Sequence, residues 1–94
     1  MTKEKDTRVT QSLKEAGFVS HLEKTITSLG ITRNALAVES KIRPVTINSL
    51  YSAEAKQLSA HTLSEILKAL DRIALSKGIE KKHKIRDIFE YGEE

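Results

Sequence analysis

"ITRNALAVESKIRPVTINSLY", residues 31–51, holds the only proline of the chain and decides how the rest is read. Pro44 has a fixed φ and no N–H, which suits the first turn of a helix. Its ring pushes Arg43 away from helical geometry. The chain is therefore expected to turn at 41–43 and to run as a helix from Pro44 to about Ser52. Upstream, Thr32 stands where a hydroxyl caps a helix, and Ile31 and Leu36 occupy the two positions of a hydrophobic staple. A helix of only two turns, over about 33–40, follows from them. In the Pro44 helix, Ile47, Leu50 and Tyr51 share one face, with Val45, Ser49 and Ser52 opposite. Tyr51 reads better as core than as a stacking platform.

Outward from this stretch the pattern stays helical. Phe18, Val19, Leu22, Ile26 and Leu29 form one apolar stripe in a segment that starts near Thr10, with Gly17 as a possible break into two helices. Gly30 suits the C-terminal end of that segment. Residues 53–57 read as a loop. Ser59 then caps a further helix whose core stripe is Leu63, Ile66, Leu67 and Leu70, and beyond Asp71 the pattern loosens. "SKGIEKKHK" (76–84) reads as a polar connection to a short amphipathic helix around Ile85, Ile88 and Phe89. No strand-like alternation stands out, so the expected fold is all-α.

With 94 residues there is room for one small domain and one core. The absence of cysteine excludes disulfides and cysteine-ligated zinc, and fits a reducing cytoplasm, the expected compartment. No run approaches the roughly 18 apolar residues of a membrane span. The first dozen residues are polar and charged, so no signal peptide is expected. A net charge of +3 and a pI near 9.3 are consistent with a polyanionic partner. His21, His61 and His83 lie far apart, with no metal-ligand spacing among them. There is no glycine-rich phosphate loop and no nucleophile motif. No enzymatic activity, cofactor or metal is expected.

Two short helices joined by a tight turn outline either a helix-turn-helix or an ordinary αα corner. The detailed residues favour the former. From Ile31 to Leu70 the chain resembles the Cro and phage-repressor-type (xenobiotic-response-element) helix-turn-helix family. Thr32 falls on its cap, Leu36 and Ala37 on its paired core positions, Ile42 on its apolar turn residue, Thr46–Ile47 on its "T-I" and Leu50 on its last core position. "LSAHTLSEILKALD" (58–71) is similar to the family's fourth helix, and "IRDIFEY" (85–91) to its final one. Lys41 departs from the pattern, which usually has glycine where the turn needs a left-handed residue; keeping that geometry costs a lysine roughly 1 kcal/mol.

The resemblance implies a small four- to five-helix bundle of the lambda-repressor-like type. Residues 1–9 would be a flexible arm, 10–75 the helix-turn-helix domain (motif about 33–52), and 76–94 an extension whose apolar residues pack on the domain or on a partner. It further implies that the second helix lies in the major groove of double-stranded DNA. Arg43, Pro44, Val45, Asn48 and Ser49 would then face bases. Pro44 and Val45 offer only apolar contact there, and Arg43 suits either a guanine or a phosphate. Arg33, Thr46, Ser52 and Lys56 fall on phosphate-side positions. The implied function is a DNA-binding transcriptional regulator acting as a homodimer, a repressor of a phage, plasmid or other mobile element or of its own operon. The alternative is a protein-binding module, such as an antitoxin or a modulator of another regulator.

Overall fold

The structure, a computed structural model, describes residues 11–92. The expected arm (1–9) and the expected helix start at Thr10 lie outside them. The elements are β1 (Phe18–Ser20), α1 (Leu22–Leu29), α2 (Arg33–Ser40), α3 (Pro44–Tyr51), α4 (Ala60–Ser76), a 3-10 turn (Ile85–Asp87) and β2 (Phe89–Tyr91). The described chain is mostly helical, but it is not all-α. Four helices are joined by a two-stranded antiparallel sheet in which Phe18 pairs with Tyr91, Val19 with Glu90 and Ser20 with Phe89.

The sheet corrects two expectations at once. Ser12 and Glu15 do start a helical turn, for the Ser12 amide donates to the Glu15 carboxylate and the Glu15 amide to the Ser12 hydroxyl. The turn stops at Gly17, whose φ of +99° an L-residue rarely adopts. A Cβ on Gly17 would also meet the Tyr91 ring at 3.1 Å. Phe18 therefore leaves the expected helical stripe and packs edge-on against Phe89 and Tyr91, at centroid distances of 5.5 and 5.0 Å. At the other end, the expected amphipathic helix around Ile85 is one 3-10 turn followed by β2. Ile88 is fully buried in the domain's own core, whereas Ile85 is exposed.

The rest of the core follows the helical spacing. Leu22, Ile26 and Leu29 of α1 meet Leu36 and Ala37 of α2, Ile47 and Leu50 of α3, and Ile66, Ala69, Leu70 and Ala74 of α4. The α1 helix ends at Gly30 in left-handed geometry. The Thr32 hydroxyl accepts the Ala35 amide and opens α2. Ser59 does the same for α4, accepting from Thr62. Helix α4 runs past Asp71 to Ser76, because Ala74 continues its buried stripe. An Arg72 side chain on α4 clasps the end of α2, reaching the Glu39 carboxylate at 2.7 Å and the Glu39 carbonyl at 2.9 Å.

The connection at 77–84 is less polar in effect than its composition suggests. Its His83 is buried, with ring Nδ1 2.8 Å and backbone N–H 2.7 Å from the same Asp71 carboxylate oxygen. Partial burial works against the Asp71 charge. The His83 hydrogen bonds and the nearby Lys82 ammonium outweigh it, and the carboxyl is held below its ordinary value. Thr25 on α1 adds a second tie, donating its hydroxyl to the Asp87 carbonyl at 2.6 Å. Together these bonds fix the C-terminal segment to the helices.

Candidate nucleic-acid interface

The turn between α2 and α3 sets the geometry of the surface. Lys41 takes φ 61° and ψ 30°, the left-handed conformation. Its amide donates to Val38 and the Ile42 amide to Ala37, so the end of α2 closes on itself. The buried Ser40 hydroxyl donates back to the Leu36 carbonyl at 2.7 Å. Arg43 is extended, at φ −59° and ψ 141°, and Pro44 starts α3. Ala37 is almost fully buried, small enough for α2 to lie close to its neighbours.

This turn brings the start of α3 beside the start of α2. Thr32, Arg33 and Asn34 from α2, with Pro44 and Asn48 from α3, line one shallow surface groove. Two helix N-termini thus open on the same solvent-facing depression, where their positive dipole ends favour an anion. Arg33 is exposed, and its guanidinium lies 4.2 Å from the centroid of the Tyr51 ring. Tyr51 is half-buried, with its ring packed against the core and its outer face under Arg33. The ring limits where that cation can go.

Of the sequence-derived positions, the groove joins Arg33, Pro44 and Asn48. Arg43, Val45 and Ser52 are exposed on or beside α3, and Val45 is 68% accessible. Thr46 and Ser49 are half-buried, and the Ser49 hydroxyl donates to the Thr46 carbonyl at 2.9 Å. The Ser52 hydroxyl likewise donates to the Asn48 carbonyl, at 3.1 Å. Lys56 sits apart from the groove, in the loop after α3, where its charge adds to the Ser12 amide in holding the Glu15 carboxyl below its usual value. Arg33, Lys41, Arg43 and Lys56 form no ion pair among the described residues. Asn34 also lines the groove, although no expected site position falls on it; its only signal in the sequence is its place in the first turn after the Thr32 cap.

Among the described residues no cluster of His, Cys, Asp or Glu is arranged to hold a metal ion. No helix among them is long and apolar enough to cross a membrane. No family model, curated protein or solved structure matches the chain.

Proposed function

We propose that this protein is a sequence-specific DNA-binding transcriptional regulator, a repressor of a phage, plasmid or other mobile element or of its own operon. In this reading α2 and α3 are a helix-turn-helix, and α3 enters the major groove. The observation that supports it best is the single groove at which α2 and α3 begin, lined by Arg33, Asn34, Pro44 and Asn48. Arg33 and the two helix starts hold phosphates on either side of the groove edge. Arg43 and Asn48 then reach base edges, Arg43 suiting guanine and Asn48 adenine. One such domain reads only a few base pairs, so the active form is a homodimer on two half-sites about 34 Å apart.

The test is fluorescence anisotropy with the DNA upstream of the gene, over a salt series, beside a scrambled duplex. The expected result is sub-micromolar binding that exceeds the scrambled control and weakens in Arg43→Ala and Asn48→Ala. The logarithm of affinity should fall linearly with that of salt, by about 0.9 per phosphate contacted. Binding indifferent to sequence and to both substitutions would refute the proposal.

A further inference from the structure

The leading edge of α3 is an apolar ledge. Pro44 and Val45 stand side by side in its first turn, and the Val45 side chain is 68% accessible. Val45 is exposed on a helix whose other aliphatic residues, Ile47 and Leu50, are fully buried, and Val38 on α2 is equally open. The polar residues that would dilute the ledge are occupied elsewhere. The Ser49 hydroxyl, one turn after Val45, donates into the helix at the Thr46 carbonyl, and the Ser52 hydroxyl donates to Asn48. The patch is also too small to anchor a protein partner by itself, being two residues flanked by Arg43 and Asn48.

We propose that Val45, braced by Pro44, reads the C5-methyl group of a pyrimidine in the major groove. This rests on the DNA-binding reading above and names what that site selects. The floor of the major groove presents hydrogen-bonding atoms at every base pair, and its one apolar group is the thymine methyl. A valine pressed onto a cytosine amino group or a guanine O6 strips water from a polar atom and returns no hydrogen bond, which is unfavourable. Pressed onto a methyl, it buries apolar surface on both sides. The discriminating feature is the methyl rather than the base, so 5-methylcytosine takes the place of thymine at that position and uracil does not. Arg43 and Asn48 supply the hydrogen-bonded contacts on either side.

The experiment uses the full chain and a duplex enriched by it from a randomised library. Each thymine of that duplex is replaced in turn by uracil, which removes only the methyl, and affinity is read by anisotropy for the wild type and Val45→Ala. At the position read by Val45 the wild type should lose about fourfold in affinity, the scale set by one buried methyl. Val45→Ala should be weaker on thymine and nearly insensitive to uracil there. A C·G pair at that position should bind poorly, and a 5-methylcytosine·G pair should recover most of the loss. Circular dichroism of Val45→Ala confirms that the variant is folded. If no uracil substitution moves wild-type affinity by twofold, or if Val45→Ala responds as the wild type does, methyl reading is overturned while DNA binding stands. If no duplex is enriched over the starting library, the DNA-binding reading fails and this inference falls with it.

Discussion

Replacing Lys41 by glycine should stabilise the protein, which is the reverse of what a substitution in a tight turn usually does. Lys41 is held at φ 61° by two bonds, its own amide to Val38 and the Ile42 amide to Ala37. Its side chain is exposed and forms no ion pair among the described residues, so little is lost with it. An L-residue in the left-handed region is strained by roughly 1–2 kcal/mol. Glycine escapes that strain, but its unfolded chain is looser by roughly 0.4–1 kcal/mol. These ranges subtract to about 0–1.6 kcal/mol, with a central net gain of roughly 0.8 kcal/mol. For a domain of this size that raises Tm by roughly 2–8 °C. Lys41→Asn should fall between lysine and glycine, because asparagine tolerates this conformation, and Lys41→Val should destabilise because it is β-branched. Urea unfolding followed by circular dichroism gives all four values on one scale. If Lys41→Gly is no more stable than the wild type, or if Lys41→Val is tolerated without loss, residue 41 is not left-handed and the turn between α2 and α3 has another shape.

Three further outcomes follow from particular contacts. Ile88 is fully buried, and Ile88→Ala should cost about 2–5 kcal/mol in urea unfolding, as for other large core truncations; a loss under 1 kcal/mol would place the C-terminal segment outside the core. The Asp71 carboxyl has a lowered folded value, so its stabilisation is complete above the ordinary aspartate value and lost as pH falls below about 4 towards the folded value. Asp71→Asn should therefore be less stable at neutral pH and lose less between neutral pH and pH 3 than the wild type; equal pH profiles would remove the His83–Asp71 clasp from the account. Arg33→Ala should weaken DNA binding about equally on all sequences and lower the salt slope by about 1, the mark of one lost phosphate contact. An unchanged slope would leave Arg33 as a partner of Tyr51 alone.

How much of this was legible in the sequence depends on how local the deciding interactions are. Gly30, Thr32, Pro44 and Ser59 each act within one turn of chain, and the limits of α2 and α3 and the start of α4 sit where those residues place them. The beginning of the described chain misleads for a definite reason. Ser12 and Glu15 carry a helix-start pattern and do make the corresponding bonds, yet the turn ends at Gly17 beneath Tyr91, a residue near the far end of the sequence. Strands of three residues are too short to show alternation, and the partner of β1 lies almost the whole chain away. His83 was hidden in a run of lysines because its hydrogen-bond partner, Asp71, lies twelve residues away on α4. At the candidate interface, the residue types were readable, but Ser49 and Ser52 turn their hydroxyls into the helix, which no spacing rule forces. Asn34 joins the groove only once the turn at Lys41 has set α3 beside α2.

The most direct test of the central claim is a titration of the isotope-labelled protein with its enriched duplex, following every backbone amide by NMR. The largest shifts should fall on Arg33, Asn34, Arg43 and residues 45–49, with the exposed face of α4 and the β1–β2 sheet little changed except where two copies meet. Shifts that leave α3 untouched, or centre on the lysine-rich segment 77–84, would contradict the central claim.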